Sequence, residues 1–184
     1  SRLEPLRMSS QWDVTGDATL TYSFYDGDVA YASPYNGSNP TPGNPSSVVS
    51  HGPTNETTLS AAFDAWDATV DFEFVEVEED AGEVGEFRVA FTDQSSGAAA
   101  FAYAPGDYAV NGDIWFETED IDITGNDFST DGVGSGGFNY FAALHEIGHA
   151  VGLSHPFDAG DDQSNGDDSL PLAQDSMRNS VMGY

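Results

Sequence analysis

At 184 residues, 39% of them hydrophobic, the chain can bury the core of one domain, and its length calls for no second. Thirty-two acidic residues face four basic ones, a formal charge of -28 that argues against nucleic acid and anionic membranes as partners. With no cysteine there is no disulfide framework, and no apolar run approaches the length of a membrane span. An aromatic content of 12% and clear periodic segments oppose disorder. Such a surface suits a saline habitat, or calcium sites that partly neutralise it. Screening of self-repulsion predicts that the melting temperature rises with added NaCl, and a flat or falling melting temperature would refute salt adaptation.

Residues 1–17 carry Arg2, Arg7 and Trp12 and read as an arm, with Trp12 either anchoring it or partly exposed. The domain proper is assigned to residues 18–184. Leu20, Tyr22 and Phe24 alternate with threonines and Ser23, which predicts a strand over 18–25. Pro34, Pro40, Pro42 and Pro45, among Gly, Asn and Ser, predict a surface loop over 33–50. His51 at its end has no spacing partner and reads as a solvated loop residue. Leu59, Phe63, Trp66 and Val70 form one helical stripe on a helix from about Glu56.

Phe72, Phe74, Val75 and Val77 predict a second strand, and the alternating Phe87, Val89 and Phe91 a third. Ala98 to Tyr103 is small and apolar and ends at Pro105-Gly106; Asp113 to Phe116 reads as a short buried strand. Residues 120–137, with Asp122, Asp127 and Asp131, and residues 158–168 are acidic and flexible in composition. They fit solvated loops or Ca²⁺ sites, without the spacing of an EF-hand or of a nonapeptide repeat. A last helix should begin near Asn139, burying Phe141, Leu144, Ile147 and Val151. The order predicts an open sheet with helices on one side.

That last helix carries the most specific stretch, His-Glu-Ile-Gly-His-Ala-Val-Gly-Leu-Ser-His over 145–155. His145 and His149, four apart, share one helical face and can reach one metal ion. Gly152 can adopt φ > 0 and turn the chain back, so that His155 arrives as a third ligand. Three imidazoles with one open position form the ligand set of a catalytic zinc. Glu146 is the only carboxylate that the sequence places beside the metal's water, where it can act as general base. The alternative, a helix with surface histidines, leaves the glycine and the third histidine unexplained.

This run resembles the extended zinc signature of the metzincin peptidases, and Ser180-Val181-Met182-Gly183-Tyr184 is similar to their Met-turn. Pro156 after the third histidine and Tyr184 two residues past Met182 resemble the serralysin-type branch. An astacin normally has Glu at the first of these positions, and matrixins lack the tyrosine. Gly183 departs from a frequent family serine. The resemblance extends from about Trp12 to Tyr184, resting on 145–155 and 180–184 and more loosely on 112–116.

The resemblance implies an α/β (α+β metzincin-like) fold: a five-stranded twisted mixed sheet with an antiparallel edge strand, packed on two main helices, with zinc at the cleft floor. It implies one catalytic Zn²⁺ on His145, His149 and His155, with Glu146 as general base. Met182 would be an apolar floor, and Tyr184 a ligand at rest that swings to hydrogen-bond the oxyanion. Ala98, Ala99, Ala100, Phe101, Ala102 and Tyr103 would form the edge strand that receives substrate, against the alternative of an ordinary edge strand. The family's C-terminal helix and calcium-binding β-roll do not follow Tyr184, so an excised or processed catalytic domain is expected. The implied function is a secreted bacterial zinc endopeptidase, a monomer acting on proteins. The rivals are a non-proteolytic zinc-bearing adhesion module and a calcium-dependent surface protein.

Overall fold

The computed structural model describes residues 8, 10–13, 18–25, 48–49, 52–80, 83–93, 97–118, 137–156 and 180–183. His51, Tyr184 and the acidic stretches 120–136 and 158–168 lie outside the described residues. The elements are β1 (Thr19–Phe24), β2 (Val48–Val49), α1 (Pro53–Asp67), β3 (Glu73–Glu76), β4 (Phe87–Thr92), β5 (Ala100–Ala102), β6 (Ile114–Glu117) and α2 (Phe138–Ala150).

The five-strand path runs β3-β1-β4-β6-β5. Its first four strands are parallel, and β5 closes the edge antiparallel to β6. Two residues of the predicted 33–50 loop depart from that reading: Val48 and Val49 pair antiparallel with Thr92 and Phe91. The reason is register. β1 pairs with β4 only as far as Val89, leaving the end of β4 open for β2 to extend the sheet.

Both helices share one large core with the sheet. The Tyr22 ring stacks on Phe63 of α1 at 4.1 Å, and Phe74 and Phe87 meet Phe63 edge-on. On the far face Tyr25, Ala90 and Trp115 form a smaller cluster, with Phe101 and Tyr103 against it. Helix α1 starts at Pro53, ahead of the expected Glu56, because proline's missing N–H costs nothing in a first turn. Leu59, Phe63 and Trp66 are buried as the stripe predicts, while Val70 lies past the helix end and packs on the core from the following turn.

Helix α2 buries part of the expected face and more besides. Of the expected set Ile147 is buried, Leu144 and Val151 are half-buried against the core and Phe141 is half-buried, while Tyr140, Ala142, Ala143 and Ala150 are buried as well. Closeness of approach adds small residues to the buried set. Trp66 of α1 donates its indole N–H to the Leu144 carbonyl at 3.0 Å, and a Cβ at Gly148 would lie 3.2 Å from the Trp66 ring. Small residues let α2 come this near.

Candidate metal centre

His145 and His149 stand one turn apart on α2, and the chain then reverses at Gly152, whose φ is +101°. The turn closes by Gly152 N–H to the His149 carbonyl and Leu153 N–H to the Gly148 carbonyl, both at 2.9 Å. It returns His155, so that the three Nε2 atoms lie 3.1 Å from one another. A side chain at 152 would be strained in that left-handed conformation, and its Cβ would also press on the Ser10 carbonyl at 3.1 Å. Gly152→Ala is therefore expected to cost about 1–3 kcal/mol in urea unfolding and to weaken metal binding with it. An unchanged unfolding midpoint would show that the turn is not under this constraint.

The opposite ring nitrogens fix the tautomers. His145 Nδ1 lies 2.8 Å from the Val181 carbonyl, and His149 Nδ1 lies 2.7 Å from that of Leu153. A carbonyl only accepts, so both protons sit on Nδ1 and both Nε2 atoms present bare lone pairs. His155 could donate to one of them, never to both, which leaves lone pairs facing each other. A divalent cation resolves this conflict. Two imidazole nitrogens on one tetrahedral zinc sit about 3.3 Å apart, so the donor set fits zinc in both chemistry and spacing. Burial lowers the His145 pKa, outweighing the opposing bond to Val181, and favours the neutral ring that a ligand needs.

Glu146 is buried beside the triad, and its Oε2 has no hydrogen-bond partner among the described residues. Burial pushes its carboxyl up to about 8. A cleft of about 420 Å³ opens over Glu146 and the three histidines, with Ala100 and Ala102 of β5 along it. Met182 is fully buried beneath α2, where a Cβ at Gly148 would collide with its Sδ. Its turn is held by Gly183 N–H to the Ser180 carbonyl and by Met182 N–H to Ser180 Oγ, each at 3.1 Å. The carbonyls of Val181 and Leu153 orient two of the histidines. Sequence reasoning missed both, because any residue supplies a carbonyl and only the fold aims it.

The edge strand is oriented by its bonds to β6 and the turn beside it. Ala99 accepts from Glu117 N–H, and Tyr103 donates to the Asp113 carbonyl and accepts from Gly112 N–H. By antiparallel alternation the main-chain groups of Ala100 and Ala102 point away from β6. Phe101 and Tyr103 instead turn their rings to the far face, where Phe101 stacks on Trp115. Of the six residues expected to meet substrate, Ala100, Phe101 and Ala102 line the cleft.

The sequence model of the matrixin family, Peptidase M10, matches residues 42–161. Serralysin B of Dickeya chrysanthemi is 39% identical over 87 residues, 46% of this chain and 17% of that protein. A serralysin of Photorhabdus sp. (strain Az29) is 27% identical over 194 residues, 98% of this chain and 36% of that protein. Matrix metalloproteinase-25 of Homo sapiens is 32% identical over 108 residues, 53% of this chain and 18% of that protein. The solved structure of myroilysin superposes with a TM-score of 0.47 at 17% identity, covering 82% of this chain and 54% of that one. The chain thus spans well under half the length of these curated relatives. The matched residues enclose all three histidines and Glu146, and the chain belongs to peptidase family M10, a family of zinc metallopeptidases, with serralysins and a matrix metalloproteinase among its relatives.

Proposed function

We propose that the chain is the catalytic domain of a secreted zinc endopeptidase that cleaves extended segments of proteins. One observation carries this reading above the others: three Nε2 atoms converge beside a buried carboxylate whose Oε2 has no partner among the described residues. His145, His149 and His155 would hold the ion. Zinc bound there supplies a water acidified to a pKa near 7 and a Lewis acid for the scissile carbonyl. Glu146 takes the proton of the attacking water and delivers it to the leaving amine nitrogen.

The open edge of β5 supports the substrate class. Outward main-chain groups at Ala100 and Ala102 recruit an extended peptide by backbone hydrogen bonds, and their small side chains let it approach closely. Met182 serves as the apolar floor under the histidines. Tyr184 is assigned the oxyanion hydrogen bond by its place after Met182 in the sequence. Ca²⁺ on the acidic stretches 120–136 and 158–168 is carried by composition alone. Secretion and a bacterial source are supported by the serralysins among the relatives.

Metal removal tests the whole reading. Purified protein should contain one zinc per chain and digest casein. A chelator should abolish digestion and lower the melting temperature, because metal held only by the folded triad stabilises that state by mass action. Added zinc should restore both. Digestion that persists in a zinc-free sample would overturn the proposal.

A further inference from the structure

Met8 and Trp12 are each tied by a hydrogen bond to the end of α2 and its turn. Met8 donates its main-chain N–H to the Gly152 carbonyl at 2.7 Å, on the turn that brings in His155. Trp12 donates its indole N–H to the Ala150 carbonyl at 2.9 Å, on the last turn of α2. Those carbonyls lie at a helix end, where no intrahelical donor reaches them. The Trp12 ring is pinned against Phe87, centroids 5.1 Å apart. Met8 is part of the cleft wall, along with Ala104, Ser154 and His155.

Because the main chain of Met8 makes the anchoring bond, its side chain is not needed for it. Methionine is a soft, adaptable apolar surface, and here it borders a cleft whose floor is otherwise polar imidazole and carboxylate. The wall also has a defined place along the cleft. Pro105 lies 3.3 Å from where a Gly152 Cβ would be, so Met8 and its turn sit toward the Ala104 end of β5. A peptide adding antiparallel to β5 runs its amino-terminal half past that end.

We infer that Met8 forms a subsite for an apolar substrate side chain on the amino-terminal side of the scissile bond. The inference rests on the peptidase reading above. The test uses zinc-loaded protein and a peptide library randomised on both sides of one cleavable bond, with products read by mass spectrometry. Met8→Ala should reduce the preference for large apolar residues at one position before the bond by about 5–10-fold, near the lower end of what pocket methylenes contribute. Met8→Lys should turn that same position toward Glu and Asp. Both variants keep the main-chain bond to Gly152, so zinc content and melting temperature should match the parent. Should either variant fail to fold, Met8→Leu, which preserves an apolar wall, is read in its place and should leave the apolar preference standing while altering its size ranking at that position. Selectivity that is unchanged in every variant, or altered only after the scissile bond, would overturn the inference with the peptidase reading intact. A parent protein that cleaves nothing would fell the peptidase reading itself, and the subsite with it.

Discussion

Replacing Glu146 by Gln is expected to cut kcat/KM on a peptide by about 10²–10⁴-fold while the zinc content stays that of the parent. The amide preserves shape and cannot take a proton, and the three ligands are untouched. A variant that retained full activity would remove Glu146 from the chemistry. The same substitution has a second, opposite effect in chelated protein. Burial raises the Glu146 carboxyl from 4.5 to about 8, so between those values the native state keeps a proton that the unfolded chain has lost. Its contribution therefore turns against folding as pH rises through this window. Gln carries no such penalty. At about 1.36 kcal/mol per unit, discounted for relaxation, Glu146→Gln should gain on the order of 2–4 kcal/mol at pH 8.5 and little at pH 5. The depressed His145 titrates in both proteins and cancels in the comparison. A gain equal at the two pH values would sink the burial argument. Together the two effects would show a residue kept for function at a cost to the metal-free fold.

Much of this centre was legible because its information is local. The four-residue spacing of His145 and His149 needs only helical periodicity, and Gly152 announces a turn by lacking a Cβ. The alternation of Leu20, Tyr22 and Phe24 likewise marks β1 without knowledge of its neighbours. What could not be read depends on contacts between distant segments. The full buried side of α2, small residues included, depends on Trp66, far away in sequence, closing against Leu144 and Gly148. Val48 and Val49 sit in a proline-rich stretch and become strand only because β1 leaves the end of β4 unpaired. The carbonyls that set the histidine tautomers carry no residue signature. Trp12 could be read as an anchor or as part-exposed. It is both, half-buried and held by the carbonyl that Ala150 has left to satisfy at the end of α2.

Replacing Arg88 by Met is expected to destabilise the protein by about 3–5 kcal/mol, although the residue is not part of the histidine cleft. Arg88 donates from Nε to Glu79 Oε1 at 2.7 Å and from its terminal nitrogen to Oε2 at 2.6 Å. The two side chains are 6% and 2% exposed. Ser23 Oγ adds a bond to Glu79 Oε1 at 2.8 Å and accepts from Gly85 N–H at 2.9 Å, and the guanidinium lies 4.9 Å from the Tyr25 ring centroid. Removing the cation leaves Glu79 sunk in the protein with its counter-charge gone, which costs more than the pair contributed. The double variant Arg88→Met with Glu79→Gln removes the stranded charge, so it should recover most of the loss. Salt separates this from a general charge effect. In a chain of net charge -28, losing one of four cations also adds surface repulsion, which is screened beyond about 10 Å at 0.1 M salt. The loss should therefore persist in 2 M NaCl, measured by urea unfolding at each salt concentration. A penalty that vanished in salt, or that the double variant shared in full, would mean that the buried pair is not its source.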